Sequence, residues 1–457
     1  AGVGGVDAAL LVIAADEGVM PQTREHLDIC SLLGVTTGLV ALTKTDMVDA
    51  DWLAMVTEDV KNELAGTFLA EAPIFPVSAH TGEGLPELRT ALAGLVEHFA
   101  PRRRSDLARL PIDRVFTLKG HGTVVTGTLI AGSFTVGDEV RLFPSDKRSK
   151  IRSLQSHGEP VEVSPAGRRT AVNLTGLEVD GIERGEVLAR PGTLFPDLSW
   201  EVELTCLGSA PRAIKHRTEV HFHHGTREIL ARIHLLDRDK LEPGQTAVCQ
   251  IRFPEPLAGV YGDRVVVRSG VPLRTVAGGR VLSPMGRKVK RFDETATAEL
   301  TALAEASGPA LVALHLVRSG TDGLGFARLM TLTDLESKAL DKGLAALCDK
   351  GEAALTDREG GEGRHFVHGT VVRRLAEALL TAVADYHKRE PLKLGLSRSE
   401  LASTWGKGLA PKLFHFVVER QLRAGKLTMD QDVLRLPDHK VSLASDQAKL
   451  RATLLAA

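Results

Sequence analysis

The stretch 111–132 constrains the fold of this 457-residue chain more than any other part of the sequence. It reads PIDRVFTLKGHGTVVTGTLIAG, in which branched and aromatic residues alternate with polar ones and glycines separate the apolar segments. This pattern predicts two or three strands joined by tight turns, each strand with one half-buried face. A sheet of this kind closes most easily as a small antiparallel barrel. We therefore expect a β-barrel here, at residues 108–192.

Residues 1–100 follow the alternating pattern of a doubly wound α/β sheet. The run 6–15 is almost continuously apolar, as expected of a parallel strand covered on both faces. A helix is expected to begin at Pro21. The segments expected after it are a strand at 38–42, a helix at 49–64, a strand at 74–77 and a helix at 86–98. Ligands of such sheets bind beyond the carboxyl ends of the strands, so the residues there are the first candidates for a site.

Two short motifs follow the second and third expected strands. Thr43, Lys44 and Asp46 lie in the first motif, and Ser78 and Ala79 form the second. The Asp46 carboxylate can accept hydrogen bonds from guanine N1–H and N2–H₂, which adenine does not offer. The Lys44 stem can lie against the base or ribose, and the Ala79 N–H can donate to the guanine carbonyl. The alternative is a solvated turn with Asp46 as a helix cap, which four letters alone favour. The position of both motifs after buried strands favours guanine.

These segments together resemble translational GTPases, most closely the selenocysteine-specific elongation factors of the SelB type. The resemblance rests on the stretch 111–132, on DEGVMPQTREH at 16–26, on IRSLQ at 151–155 and on AVNL at 171–174. In that family N/T-K-x-D and S-A are the base-reading pair. The resemblance therefore implies that the base of GTP or GDP contacts Thr43, Lys44, Asp46, Ser78 and Ala79, with Mg²⁺ as a further cofactor of the intact protein.

The phosphate-binding part of such a domain is missing from the sequence. No G-x-x-x-x-G-K-[ST] occurs, so there is no phosphate cradle and no Mg²⁺-holding Ser or Thr, and no D-x-P-G-H occurs either. In the family both motifs lie upstream of the helix that residues 1–5 would finish. We expect a chain truncated at its N-terminus, which binds GTP poorly and hydrolyses none.

The resemblance also implies a site for the aminoacyl end of a tRNA on the first barrel. In selenocysteine factors, cationic side chains there favour the ionised selenol over the neutral hydroxyl of serine, because only an anion gains a charge-assisted contact. The matching residues are Asp113, Arg114 and Arg169, with His121 as a weaker candidate. The alternative is salt bridging at a strand edge on a solvated barrel face.

Residues 197–283 predict a second all-β unit. His216, His221, His223 and His224 fall within it, but no carboxylate or cysteine supports them in the sequence, so a metal site is not expected. The resemblance instead implies phosphate contacts from its His- and Arg-rich strands, and the candidates are Lys215, His216, Arg217 and Arg227.

The last third of the chain has helical spacing of Leu and Ala interrupted by hairpins, repeated at about 70 residues. This pattern predicts winged-helix modules at 291–368 and 369–437, with a third beginning at 438–457. In selenocysteine factors a string of winged helices ends the protein and the last ones bind an mRNA hairpin. By that comparison the modules here are proximal spacers, and the hairpin-reading modules are absent from the sequence.

The overall fold class expected is therefore multidomain: a partial α/β P-loop-type GTPase domain, two antiparallel β-barrels and tandem winged-helix modules. The net charge is −1, so RNA would bind through local patches only. Four scattered cysteines fit a reducing cytoplasm. The sequence contains no run of about 18 apolar residues, so a membrane span is not expected.

The resemblance implies a monomeric cytoplasmic GTPase that delivers selenocysteinyl-tRNA to the ribosome at recoded stop codons. Two alternatives stay open at this stage. One is a general or initiator aminoacyl-tRNA carrier, against which the winged helices argue. The other is a non-hydrolysing RNA-binding adaptor, which takes the absent phosphate cradle at face value.

Overall fold

The computed structural model describes residues 6–97, 105–118, 122–359, 363–439 and 441. The chain divides into two compact units, one of residues 1–306 with 330–337 and one of residues 307–329 with 338–457. Strands and helices are numbered below in chain order.

The first unit begins with a parallel sheet of three strands in the order β1-β2-β3. Its elements are β1 (Ala9–Ala14), α1 (Pro21–Leu32), β2 (Gly38–Thr43), α2 (Ala50–Leu64), β3 (Ile74–Pro76) and α3 (Leu85–Glu97). Helix α2 begins after Asp49, whose carboxylate accepts a hydrogen bond from the Trp52 N–H at 2.8 Å. The core of this layer packs Ile13, Val40 and Leu42 of the sheet against Val56 and Val60 of α2.

Strand β1 differs from the expectation that both of its faces are covered. It is an edge strand of the described sheet, and Leu10 and Val12 are 42% and 58% exposed. Ile13 is the residue of β1 that is buried. A continuous apolar run reports the hydrophobicity of a strand but not its place in the strand order, so the sequence could not distinguish an edge strand from a central one.

The first barrel closes because β11 pairs with both β5 and β8, giving the circular order β11-β5-β4-β12-β7-β8. Its strands are β4 (Arg109–Leu118), β5 (Gly122–Thr128), β6 (Ser133–Thr135), β7 (Glu139–Phe143), β8 (Arg148–Ser156), β9 (Glu159–Val161), β10 (Val163–Pro165), β11 (Arg169–Leu174) and β12 (Val187–Ala189). The alternating apolar residues of the stretch 111–132 fill its interior, among them Ile112, Val125 and Leu129.

The second barrel is closed in the order β13-β18-β16-β15-β19-β20. Its strands are β13 (Asp197–Cys206), β14 (Ile214–Lys215), β15 (Glu219–His224), β16 (Arg227–Leu235), β17 (Lys240–Leu241), β18 (Thr246–Leu257), β19 (Arg264–Ser269) and β20 (Arg274–Ser283). Trp200 is fully buried at its centre, edge-on to Phe222 and Phe253. Gly259 is required beside it, because a Cβ there would lie 2.5 Å from the indole ring.

Buried charges join the two barrels. Arg109 of the first barrel donates to both carboxylate oxygens of Asp263 in the second, at 2.7 and 2.8 Å, and both side chains are at most 10% exposed. His224 contacts the same carboxylate at 2.9 Å.

Helix α1 also docks on the second barrel, where Glu25 accepts hydrogen bonds from Arg268 and Thr275 at 2.9 Å each.

Helix α4 (Glu294–Glu305) packs on the second barrel, although we expected it to open the first winged helix. Tyr261 Oη donates to the carbonyls of Leu303 and Ala306 at 3.5 and 3.4 Å, and Arg280 donates to the carbonyl of Ala304. The last carbonyls of a helix have no partner within the helix, so these donors hold its C-terminus to the barrel.

After α4 the chain twice follows the order helix, short strand, helix, helix, hairpin. The first series is α5 (Gly308–Ser319), β21 (Leu324–Gly325), α6 (Phe326–Thr333), α7 (Ser337–Asp349), β22 (Ala353–Asp357) and β23 (His365–His368). The second is α8 (Gly369–Arg389), β24 (Leu396–Ser397), α9 (Arg398–Ser403), α10 (Pro411–Arg423), β25 (Thr428–Asp430) and β26 (Val433–Arg435). Each short strand pairs with the second strand of its hairpin, which completes a winged-helix sheet.

In the core of the second series Leu379 and Val383 of α8 pack with Val417 of α10 and Leu434 of β26, and this core is continuous with Ala354 and Val367 of the first hairpin. The expected fold class of α/β domain, two β-barrels and winged-helix modules is thereby confirmed.

The strands β21 and β24 were not expected, because two-residue strands leave no periodic signal. Of the third module expected at 438–457, residues 440 and 442–457 lie outside the described part of the chain.

Candidate functional site

The two motifs that follow β2 and β3 come together at the carboxyl edge of the sheet. Thr43 ends β2 and its hydroxyl donates to the Ile13 carbonyl at 3.3 Å, which ties β2 to β1. The Thr45 N–H then donates to the Val77 carbonyl at 3.4 Å and ties the first loop to the second. All five candidates for base recognition therefore lie at one edge of the sheet, as parallel strands require.

Asp46 is held by a short chain of hydrogen bonds. The buried Ser78 hydroxyl donates to Asp46 Oδ1 at 2.5 Å, and the Thr81 N–H donates to Ser78 Oγ at 3.1 Å. Because an ionised carboxylate can only accept hydrogen bonds, the Ser78 hydroxyl is the donor of this pair. The hydrogen bond from Ser78 lowers the pKa of the Asp46 carboxyl. The carboxylate is exposed, so it keeps free acceptor positions toward solvent.

Lys44 adopts the left-handed backbone region, with φ of 59°. Its ammonium group donates to both oxygens of Asp16 at 2.9 and 3.1 Å and lies 3.5 Å from Glu17. The hydrogen bond to Asp16 raises the pKa of Lys44. This contact fixes the lysine stem across the loop, and sequence reasoning missed it. The DEG motif at residues 16–18, which belongs to the segment that carries the family resemblance, was the available signal.

Ala79 is exposed, and its N–H has no hydrogen-bond partner among the residues that the structure describes. Its neighbour Ser78 donates its own N–H to the Glu83 carbonyl at 3.0 Å, which folds the loop back on itself. A free backbone donor therefore lies beside the oriented carboxylate of Asp46. One donor next to one carboxylate is the complement of the guanine carbonyl and its adjacent N–H groups.

On the first barrel, Asp113 lies at a register irregularity of β4 between Ile112 and Arg114. Arg169 donates to both of its oxygens, at 2.5 and 3.0 Å, and the Thr126 hydroxyl donates at 2.8 Å. Partial burial would raise the pKa of Asp113, but the hydrogen bonds from Arg169 and Thr126 hold it below its usual value. The guanidinium of Arg169 is therefore oriented by Asp113, while its side chain stays 53% exposed.

The other two residues of this predicted site differ in their surroundings. Arg114 is exposed and has no ion-pair partner among the described residues. His121 lies outside the described residues. Asp113 also borders a cavity of about 180 Å³ that continues past Thr128 to the buried Arg109–Asp263 pair. The structure thus brings Asp113, Arg114 and Arg169 together with a net positive charge, beside a concave surface.

The histidines of the second barrel do have carboxylate partners, contrary to our expectation. His221 contacts Glu228 at 2.8 Å, whereas His224 faces Asp263. Glu228 comes from the neighbouring strand β16 and Asp263 from the turn before β19, so sequence spacing could not show that they lie beside these histidines. Within the described residues no group of three His, Cys, Asp or Glu side chains could hold a metal ion.

Arg227 is not available for the phosphate contact that we expected of it. It pairs with Glu183 at 2.9 Å and with Glu255.

The described part of the chain contains no helix long and apolar enough to span a membrane.

An α/β domain with this loop pair, followed by two closed barrels, defines a GTPase of the elongation-factor type. The family model "Elongation factor Tu GTP binding domain" matches residues 1–98, and "Elongation factor Tu domain 2" matches residues 122–189. Two further family models are specific to one branch. "Selenocysteine-specific elongation factor, beta-barrel domain" matches residues 201–288, and "Elongation factor SelB, winged helix" matches residues 380–436.

The chain belongs to the family of selenocysteine-specific elongation factors. It is 59% identical over 453 residues to the selenocysteine-specific elongation factor of Desulfomicrobium baculatum, covering 99% of this chain and 71% of that protein. The Escherichia coli and Haemophilus influenzae proteins of the same name are 32% and 30% identical, and each alignment covers 98% of this chain and 69% of the relative.

Solved structures agree with this assignment at the level of the fold. A bacterial selenocysteine-specific elongation factor, EF-Sec, superposes with a TM-score of 0.75 at 22% identity, covering all of this chain and 71% of that one. The apo form of elongation factor SelB from Methanococcus maripaludis gives a TM-score of 0.57 at 26% identity, covering 61% of this chain and 65% of that one.

Proposed function

We propose that this protein binds GTP, carries selenocysteinyl-tRNA to the ribosome and releases it at recoded stop codons. The observation that carries the proposal is the Arg169 guanidinium, which Asp113 orients on the first barrel beside the free Arg114. Membership of the family supplies the class of substrate, and this constellation supplies the chemistry that would select it. The protein acts as a monomer in the cytoplasm in this proposal.

Base recognition in the proposal uses the edge of the α/β sheet. Asp46 accepts from guanine N1–H and N2–H₂, and the Ala79 N–H donates to the guanine carbonyl. Thr43 and Ser78 position the two loops, and Lys44, anchored on Asp16, lays its stem along the base. The free N–H of Ala79 and the exposed carboxylate of Asp46 fit a guanine.

The phosphate end of the nucleotide and Mg²⁺ do not fit the residues of this chain. The sequence has no G-x-x-x-x-G-K-[ST], and its described part has no cluster of metal-binding side chains. We therefore assign no step to Mg²⁺. This stretch of chain reads the base in the proposal, and by itself it neither holds the triphosphate tightly nor hydrolyses it.

Selection of the amino acid rests on charge. A selenol is ionised at neutral pH and gains charge-assisted contacts from guanidinium groups, whereas the hydroxyl of serine stays neutral and gains little. Arg169 can donate to a selenolate and keep its contact with Asp113, because a guanidinium has five N–H donors. Arg114 supplies a second positive charge next to Asp113, and it forms no salt bridge within the described residues.

The proposal keeps the expected domain limits 1–100, 108–192, 197–283 and 369–437, with a further module beginning at 438. The module expected at 291–368 begins only after α4, which packs on the second barrel. In the proposal the two barrels contact the tRNA, the α/β domain contacts the ribosome in its GTP state, and the winged-helix modules act as spacers. The proposal assigns recognition of an mRNA hairpin to neither of the described winged-helix modules.

The test compares the binding of selenocysteinyl-tRNA and seryl-tRNA that share one tRNA body. We expect Arg169→Ala to abolish the preference by weakening the selenocysteinyl complex about 10- to 100-fold, the worth of one charge-assisted contact of about 1.5–3 kcal/mol. Arg168→Ala is the matched control, because Arg168 is the exposed neighbour and the charge change is the same. Equal binding of both tRNAs by the unaltered protein would indicate a general aminoacyl-tRNA carrier instead.

A further inference from the structure

One face of helix α4 stays uncovered on the surface of the protein. Leu300 and Leu303 are buried on the side that packs on the second barrel. The opposite side lines a groove of about 630 Å³, which Phe292 and Asp237 complete. The helix residues of the groove recur at the spacing of a single helical face over the whole length of α4, and they are Glu294, Thr297, Ala298, Thr301, Ala302 and Glu305. We call this feature the α4 groove.

The α4 groove is acidic at both ends and carries alanines and threonines between them. Glu294 and Glu305 are the first and last residues of α4, so about 16 Å separates them along the helix axis. Both are exposed, and neither forms a salt bridge within the described residues. Asp237, the third carboxylate, is already paired with Arg238, whose guanidinium donates to both of its oxygens at 2.8 Å. Among the described residues that line the groove there is no lysine, arginine or histidine.

Glu305 lies where a helix disfavours an acid. The last turn of a helix carries a partial negative charge, so a carboxylate there lowers the stability of the helix and a basic side chain raises it. Helix α4 has no basic residue in its last turn that would offset Glu305. A lysine or arginine of a partner would be attracted both by this carboxylate and by the end of the helix.

Phe292 is exposed in a conformation that costs free energy. Its φ is 61°, in the left-handed region that bulky side chains rarely adopt, and its N–H donates to the Leu236 carbonyl at 2.6 Å. An apolar residue before a helix cap ordinarily packs on the fourth residue of the helix, which here is Thr297. The Phe292 ring nevertheless stays 58% exposed, with the Arg291 guanidinium 4.4 Å from its centre. Its apolar surface is therefore available to a ligand of the groove.

We propose that the α4 groove docks a basic amphipathic helix of a partner protein. The distance between Glu294 and Glu305 corresponds to three helical turns, so the partner presents a lysine or arginine at each end of such a length and an apolar stripe between them. A single metal ion does not fit, because no group of three ligating side chains lies within the described part of the chain. The unpaired carboxylates would repel a nucleic acid. The inference does not rest on the proposed function.

The test measures binding of a synthetic helical peptide to the full chain by isothermal titration calorimetry. The peptide carries a leucine stripe between two lysines, placed at the same eleven-residue spacing as Glu294 and Glu305. A second peptide of the same composition has its lysines moved into the leucine stripe. We expect one molecule of the first peptide to bind per chain, more weakly as the salt concentration rises, and the second peptide to bind at least about tenfold more weakly.

Replacement of Phe292 by asparagine separates a docking role from a structural one. Asparagine adopts the left-handed region more readily than phenylalanine, so Phe292→Asn should not lower the midpoint of urea unfolding. It should weaken binding of the first peptide about 30-fold, as the loss of an aromatic anchor does. Phe292→Tyr keeps the ring and should keep the binding. A purely structural Phe292 would give the reverse result for Phe292→Asn, which is lower stability with unchanged binding, and the inference would be wrong.

The charge of the groove is tested separately. Glu305→Gln should weaken binding of the first peptide about two- to fivefold and reduce its salt dependence, as the loss of one exposed ion pair does. Glu159→Gln is the matched control, because Glu159 is an exposed glutamate of the first barrel and the charge change is the same. The inference is wrong if the two glutamate variants behave alike, and also if the two peptides bind equally well or do not bind.

A second copy of the chain is the alternative occupant of the groove. Sedimentation velocity over a range of concentrations detects it in the absence of peptide. If the unaltered chain self-associates and Phe292→Asn abolishes the association, the groove is an interface between copies and the inference is wrong. Neither measurement uses nucleotide or tRNA, so failure of the proposed tRNA selection would leave both results unchanged.

Discussion

Replacement of Asp46 by asparagine should change which base the protein binds. In the structure the Ser78 hydroxyl accepts a hydrogen bond from the Thr81 N–H and donates one to Asp46 Oδ1. We expect an asparagine in this position to point its carbonyl oxygen at Ser78, which keeps the hydrogen bond from the hydroxyl, and its NH₂ group at the base. That NH₂ group opposes the N2–H₂ of guanine but complements the carbonyl that xanthine has at the same carbon.

The size of the effect follows from the two contacts that are lost. A hydrogen bond to a charged group contributes about 1.5–3 kcal/mol, and removing two of them costs about 3–6 kcal/mol. Asp46 is exposed in the free protein, so we expect the lower end, about 3 kcal/mol or a 100-fold loss in affinity for GDP. Affinity for xanthosine diphosphate should rise, and the preference between the two nucleotides should invert.

The assay is equilibrium dialysis with GDP and xanthosine diphosphate in parallel. The two nucleotides share their ribose and phosphates, so the ratio of their dissociation constants isolates the base. Asp49→Asn is the matched control, because Asp49 caps α2 three residues away and asparagine caps a helix equally well. The reasoning is refuted if Asp46→Asn keeps its preference for GDP, or if Asp49→Asn shifts the ratio by the same factor.

Two further predictions concern the buried charges between the barrels. Arg109→Met leaves the Asp263 carboxylate buried without its arginine partner, although His224 still contacts it, and should lower the free energy of unfolding by about 3–5 kcal/mol in a urea titration. Arg109→Met combined with Asp263→Leu should restore most of the loss, and equal losses in the single and double variants would contradict this account. Asp334 lies 4.0 Å from Arg109, and burial raises the pKa of its carboxyl to about 6. A carboxyl that binds its proton more tightly in the folded state stabilises the fold below the unfolded pKa of about 3.9 and loses that contribution as the pH rises through about 6. Asp334→Asn should therefore raise the free energy of unfolding by about 1–3 kcal/mol at pH 7.5 and leave it unchanged near pH 4. A gain of equal size at both pH values would show that titration of Asp334 is not the cause.

Local sequence signals predicted most of the elements correctly. Alternation of apolar and polar residues gave strands such as β5 and β15, because side chains of a strand point alternately to the two faces. Pro21 and Asp49 marked the starts of α1 and α2. A proline in the first turn has no N–H that would need a partner, and a carboxylate at the cap accepts a hydrogen bond from one of the free N–H groups. These signals act over a few residues and need no tertiary context.

Features that depend on distant partners could not be predicted in this way. The exposed face of β1 depends on strand order, and the docking of α4 depends on donors from Tyr261 and Arg280. The candidate sites show the same division. Asp113 and Arg169 were identified through the family resemblance, but their mutual contact joins residues 56 positions apart and follows from barrel register.

The measurement that tests the central claim most directly compares one tRNA body charged with serine, cysteine or selenocysteine across a range of pH. The claim is that the first barrel selects an anion, and not a larger atom. A cysteine thiol has an ordinary pKa of about 8.5 and is mostly neutral at pH 7. We predict that the cysteinyl form binds like the seryl form at pH 7 and approaches the selenocysteinyl form above pH 8.5. Cysteinyl-tRNA that binds as tightly as selenocysteinyl-tRNA at pH 7, or that matches seryl-tRNA throughout, would contradict the account.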